Sequence, residues 1–290
     1  MPVISRRTPT GIQVFDEAVE PLRTFPLPPD VWDWVVPSTR DSVVYSTDDA
    51  VLRTDAGGRE QWRFELGPVG ENDGIGMNNS AFSADETLVW VYVANAMADR
   101  ADLDELIALD AATGAVRTRI PVESAGQGAG LIPLPDGQVL VSIGEGQDGG
   151  VVLRAGPDGE LHDYLIHDRV VIDASPDRRQ FLTVDHERRA DMALHDLATG
   201  EVVHRIPAAG FGLGDRAYVN WSGGYLDDET VIVVIVVGEP EHTWRHFRVD
   251  TRTGEVLGDL GIVTVDKDDL EPLGDGTYVI SDTDGTLRRM

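Results

Sequence analysis

The chain has 290 residues, 41% of them hydrophobic, which suffices for a full core in one domain spanning residues 1–290. Fifty-one acidic residues face 24 basic ones, a net charge of −27, and such a surface repels phosphate backbones and anionic lipid alike, so neither nucleic acid nor membrane is an expected partner. The absence of cysteine excludes disulfides, thiolate nucleophiles and Cys-ligated zinc or iron–sulfur centres.

Lysine occurs once, at Lys267, and every other basic residue is arginine. That bias fits a GC-rich bacterial genome, and the acidity fits a salt-loving source. Met1–Pro9 carries no apolar stretch of signal-peptide length, so the expected location is the cytoplasm.

In chain order, the first element is a hairpin, Ile12–Phe15 with Pro21–Phe25. From there two motifs alternate. One is an apolar strand pair around a Pro/Asp turn: Val36–Val44, Ala81–Trp90, Ile132–Val141, Ile172–Leu182, Tyr225–Ile232 and Pro272–Val279. The other is a hairpin around a Gly-containing turn, clearest in Leu106–Ile120 with its Asp110-Ala-Ala-Thr-Gly114. Met192–Ile206 and His246–Leu257 copy it closely, Val51–Trp62 and Val152–Leu161 more loosely. Val231–Val237 is β-branched throughout and reads as a strand buried on both faces.

The hairpin glycines Gly58, Gly114, Gly159, Gly200 and Gly254 recur every 41 to 56 residues. That is the period of four-stranded propeller blades, with the longer intervals absorbed by glycine-rich insertions at Gly67–Gly76 and Gly210–Gly214. The pattern predicts an all-β fold, a closed β-propeller. Unit starts near Val31, Gly76, Gly128, Arg169, Val219 and Lys267 give six blades, the last completed by the N-terminal segment so that no strand edge is exposed. Leu287-Arg-Arg and Ile12–Phe15 both read as third strands, which leaves seven blades as the alternative.

The Leu-Asp-Ala-Ala-Thr-Gly hairpin resembles the repeat of quinoprotein-like and YVTN-type bacterial β-propellers. The Phe-Ser-Ala-Asp and Ser-Pro-Asp turns resemble those of WD-repeat and TolB-like propellers. The resemblance covers nearly the whole chain and implies a fold, not a chemistry. Quinoprotein dehydrogenases have larger rings and a vicinal cysteine pair, so no quinone cofactor is expected here.

Candidate chemistry is sparse. His242 and His246 have the spacing of a helical zinc site, but on a strand they stand about 13 Å apart. They read instead as an exposed Trp-containing loop or strand. His195 and His204 flank a hairpin turn and read as surface residues. Gly126–Gly130 lacks the helix and Lys of a phosphate cradle and reads as an inner-strand entrance.

The remaining signal is positional. Residues that begin the inner strands of a propeller line one mouth of its channel. Counting back from the turns gives Asp33, Asn78, Ala129, Arg169 or Val170, Trp221 with Asn220 beside it, and Asp268. Asp33, Asn78, Asn220 and Asp268 are thus candidate ligands for a divalent cation such as calcium, or for a hydroxyl-rich small molecule. The competing reading is that they solvate the channel through ordered water. The expected function is a non-catalytic binding or scaffold propeller, a monomer presenting a rigid face to a protein or small polar ligand. The alternative is a metal-assisted hydrolase or lactonase at the channel mouth.

Overall fold

The computed structural model describes residues 3–29, 31, 33–70, 77–238 and 242–290. Strands in these residues form seven antiparallel sheets, each built from consecutive strands, and the chain divides into two compact units, Pro2–Leu165 and Ile166–Met290. These are the blades of an all-β propeller. The unit start expected near Gly76 lies outside the described residues.

The first unit holds four sheets. Sheet one is β1 (Ser5–Thr8), β2 (Gly11–Phe15) and β3 (Pro21–Pro26). Sheet two runs from β4 (Asp33–Val35) through β5 (Ser42–Ser46) and β6 (Ala50–Asp55) to β7 (Glu60–Glu65). Sheet three comprises β8 (Asn79–Phe82), β9 (Leu88–Val93), β10 (Asp104–Asp110) and β11 (Val116–Val122). Sheet four comprises β12 (Gly128–Pro133), β13 (Val139–Gly144), β14 (Gly150–Ala155) and β15 (Leu161–Asp163).

The second unit holds three. Sheet five is β16 (Arg169–Ala174), β17 (Gln180–Asp185), β18 (Asp191–Asp196) and β19 (Val202–Pro207). Sheet six is β20 (Ala217–Tyr225), β21 (Thr230–Val237), β22 (Thr243–Asp250) and β23 (Val256–Asp259). Sheet seven is β24 (Leu270–Pro272), β25 (Tyr278–Ser281) and β26 (Leu287–Arg289).

The blade count is therefore seven, not six. The difference is made at the two ends. β1 pairs with β2 from Ser5↔Val14 to Thr8↔Gly11, giving the N-terminal hairpin a third strand and a sheet of its own. β26 pairs with β25, giving the C-terminal strands theirs. β1 escapes sequence reading because Ser-Arg-Arg-Thr shows no apolar alternation.

Sheets pack face to face through their middle strands. Val44, Val51 and Trp62 of sheet two meet Phe82, Val91 and Ile107 of sheet three. Trp90, Leu106 and Ile120 of sheet three meet Val139, Val141 and Leu153 of sheet four. In the second unit Leu182, Met192 and Leu194 meet Val231, Val233 and Phe247. β21 is covered on both faces, with Val231 through Val236 fully buried, as its unbroken β-branched run predicts.

The hairpin motif explains itself in hydrogen bonds. Asp110 Oδ1 accepts the Thr113 N–H and hydroxyl, and the Gly114 N–H reaches the Asp110 carbonyl (2.8 Å). Asp196-Thr199-Gly200 and Asp250-Thr253-Gly254 close their turns the same way. The glycine is required because the turn ends in the left-handed region, φ 70° at Gly114 and 76° at Gly200. The Arg117 and Thr113 bonds also hold the Asp110 carboxyl down at about 2.

Two histidines depart from their expected exposure. His195 is buried, stacked on Phe181 at 4.7 Å, with Nε2 on the Thr183 hydroxyl and Nδ1 on the Gly200 carbonyl (both 2.9 Å). His246 is also fully buried, on β22, and neither ring nitrogen has a hydrogen-bonding partner among the described residues. Burial pushes its pKa down to about 4. Central strands here are covered on both faces, so alternation no longer marks an outward side.

Gly200→Val places a β-branched side chain at φ 76° and is expected to cost about 1–3 kcal/mol. Urea denaturation should report it as a lower midpoint at unchanged slope; an unshifted midpoint would mean that the left-handed turn is not what the glycine is there for.

Candidate functional site

The inner strands carry side chains that act as acceptors for the next sheet. Asp33, at the start of β4, takes the Ser80 N–H and hydroxyl on Oδ2 (both 2.8 Å) and the Asn79 amide on Oδ1 (3.3 Å). Asn79 in turn accepts the Ala129 N–H from β12 (2.8 Å). In the second unit Asp173 of β16 accepts the Tyr225 N–H from β20 (2.8 Å). Asn220 of β20 donates to Asp268, just before β24 (2.5 Å). At Ser80, Ala129 and Tyr225 the side chain meets a backbone N–H that the inner edge would otherwise leave unpaired, whereas Asn220 and Asp268 join through side chains alone.

Each predicted site residue thus has a place. Asp33 is engaged by three donors, and burial raises its pKa against their pull. Asn78 is buried and used by the backbone: its amide donates to the Thr47 carbonyl between β5 and β6 of sheet two, and its oxygen accepts the Ala94 N–H. Asn79, one residue on, is the side chain that meets Asp33. The left-handed turn residues Arg40 and Glu86 show why: seven positions back from them stand Asp33 and Asn79.

Asn220 and Asp268 do come together, joined by Ser222 and Lys267. Asn220 donates also to Ser222 Oγ (2.7 Å), whose hydroxyl donates to the Lys267 carbonyl (3.1 Å). Lys267 Nζ lies 2.5 Å from Asp268. Burial alone would raise the Asp268 pKa, but the Lys267 and Asn220 bonds outweigh it and hold the carboxyl low. Arg169 is buried and ion-paired with Asp191 (2.8 Å). Among the described residues no three His, Asp or Glu side chains group closely enough to hold a metal ion.

The largest departure from the repeat lies on β20. Its register with β21 jumps from Val219↔Ile235 to Gly223↔Val233, so Asn220, Trp221 and Ser222 stand against Val234 alone. Such a bulge re-aims side chains. Asn220 turns inward, 2% exposed, and Trp221 outward, 40% exposed. Gly223 (φ 110°) and Gly224 (φ 147°) return the chain to the ladder, and a Cβ on Gly223 would strike the Ile232 carbonyl.

Trp221 does not stand alone. The His186 ring stacks on it at 5.5 Å, and the Arg189 guanidinium lies 4.0 Å from its ring centre. Arg189 also lies 5.5 Å from the Tyr218 ring. The β17–β18 loop that carries His186 and Arg189 is tied to β20 by the Val219 N–H on the Arg189 carbonyl (2.8 Å). The result is a fixed, exposed aromatic and cationic surface within one compact unit. Sequence counting reached Trp221 but not its partners; the signal for the bulge was Gly223-Gly224 inside a strand.

Against this geometry the comparisons with known proteins speak to the fold. No protein-family model matches the chain, and no curated protein matches it in sequence. Solved structures do. BamB from Moraxella catarrhalis is 17% identical over 88% of this chain and 68% of that one, with a TM-score of 0.57. The Dos1 propeller is 14% identical over 97% and 72%, with a TM-score of 0.59. Dihydro-heme d1 dehydrogenase NirN, solved in complex with DHE, is 16% identical with a TM-score of 0.55 over 96% of this chain. This chain spans 60% of the NirN chain's length. The resemblance to β-propellers therefore holds at the level of the fold.

Asp173 offers a pH test of the inner-strand contacts. Burial raises its pKa to about 6, against the backbone bonds from Tyr225 and Ala174. A carboxyl raised in the folded state favours folding when protonated, so its contribution is full below the unfolded pKa near 4 and is lost as pH rises through 6. Asp173→Asn keeps an acceptor for Tyr225 without the charge. Relative to wild type, the variant should gain on the order of 2 kcal/mol between pH 4 and pH 7. Parallel denaturation curves would refute the burial of that charge.

Proposed function

We propose that the protein is a binding propeller whose rigid scaffold presents a face to a protein partner. The observation that supports this reading is Trp221: a large aromatic side chain held outward by a strand bulge and braced by His186, Arg189 and Tyr218. Burying a tryptophan on association releases a large apolar area at small entropic cost, because its rotamer is already fixed. A bulge interrupts the ladder and lowers local stability, so its retention on an inner strand favours a functional purpose.

BamB, Dos1 and the dehydrogenase NirN share the fold while carrying different names and roles, so architecture alone assigns no activity. The alternative, a metal-assisted hydrolase or lactonase, draws on Asp33 and Asp268. Both carboxylates are already engaged, Asp33 by Ser80 and Asn79 and Asp268 by Lys267 and Asn220, and a cation would have to displace those donors.

Cross-linking capture from the source cell separates a specific face from general stickiness. Leu257 is as exposed as Trp221, 46% against 40%, and serves as the control. A partner held by wild type and by Leu257→Ala but lost from Trp221→Ala is the expected result. The same proteins captured by all three would sink the reading.

A further inference from the structure

We infer that the Trp221 face takes an acidic peptide segment of its partner, with Arg189 receiving a carboxylate and Trp221 the apolar side chain beside it. The inference rests on the binding role proposed for this face and names the chemistry of what binds.

Arg189 is the deciding residue. The chain carries more than two acidic residues for each basic one, 51 against 24, and many surface arginines are claimed. Arg63, Arg117, Arg119, Arg245, Arg252 and Arg288 all sit in ion pairs with Asp or Glu. Arg189 makes no ion pair or side-chain hydrogen bond among the described residues. Its guanidinium is placed by two rings, at 4.0 Å from Trp221 and 5.5 Å from Tyr218. With no acceptor on it among the described residues its N–H fork is available, and that fork matches a carboxylate in two parallel bonds.

The backbone beneath is fixed as well. Arg189 sits at φ 53° and its carbonyl is bonded to Val219, so the loop is pinned to the bulged strand. The acids nearby have partners of their own. Asp185 takes the Ala190 N–H on Oδ2 and the Trp221 Nε1–H on its carbonyl, and Asp268 is paired with Lys267 and Asn220. Across the loop, Arg188 and Arg189 face two acids, Glu187 and Asp185, and the Asp185 carboxylate is turned to the Ala190 N–H. An aromatic spot carrying a guanidinium with no ion pair among the described residues thus stands on a chain of charge −27. A basic partner would be drawn to the acidic remainder of the surface, whereas an acidic segment needs an unpaired cation with an apolar ring beside it, which this spot supplies.

The test is a random-peptide phage library panned on the full chain after clearance on Trp221→Ala. Enriched sequences should carry an excess of Asp and Glu. Synthetic copies of them should bind wild type about tenfold or more tighter than Arg189→Gln, with a matching loss in their Asn/Gln counterparts. Arg189→Lys, which keeps the charge and loses the fork, should fall between. Enrichment without acidic excess overturns the peptide assignment and leaves the face standing, as do acidic peptides that bind Arg189→Gln as well as wild type. Failure of any Trp221-dependent enrichment overturns the face together with its ligand.

Discussion

The structure depends on how each inner strand disposes of its open edge. A strand that ends a sheet leaves alternate N–H groups without partners, and in a propeller the inner strands are short and crowded. Here the neighbouring sheet supplies the answer through a side chain. Asp33 caps donors of β8, Asn79 caps β12, and Asp173 caps β20. The same device recurs further out with other groups: the Trp62 indole of β7 reaches the Ala111 carbonyl, and the Trp90 indole of β9, the second strand of its sheet, reaches the Gly137 carbonyl (2.9 and 2.8 Å). Each indole lands on the loop of the following sheet. Face-to-face burial supplies most of the favourable free energy, but it is non-directional. These polar contacts set the register between sheets.

Much of the fold was legible because the repeat writes its turns in polar residues. Asp110, Thr113 and Gly114 satisfy one another locally, so their pattern survives wherever the hairpin occurs. The two ends were harder. β1 is Ser-Arg-Arg-Thr and β26 is Leu-Arg-Arg, short segments at the margins of their sheets with little apolar content to count. Their strand character comes from pairing with a neighbour rather than from their own pattern, and with them the blade count rises to seven.

The candidate site was half legible for a related reason. Counting back from turns found Asp33 and Asp268, because the turn and the inner strand are joined by a fixed length of chain. It fell one residue short at Asn78, where Asn79 holds the equivalent position. His195 reads as exposed from its place beside a hairpin turn and His246 from its Trp-containing stretch, but β18 and β22 are covered by the sheets on either side and both rings are buried. The partners of Trp221 were out of reach altogether: His186 and Arg189 belong to a different hairpin and meet it only through packing.

The contrast between Asp173 and Trp221 separates scaffold from site. Both belong to the contact region of β16 and β20, and both involve residues that break a simple strand pattern. Asp173 sits on its bulge, facing inward, and its carboxyl serves the Tyr225 backbone; its raised pKa is the cost of a buried charge that does structural duty. Trp221 sits on its bulge facing outward, and its ring makes contacts that the β20–β21 ladder does not need. A bulge whose side chain is spent on the next sheet is explained by folding. A bulge that exposes an aromatic ring, and then braces it with a guanidinium that has no ion pair among the described residues, is not. In a fold shared by chains as little as 14% identical, such departures from the repeat are where individual function has room to reside.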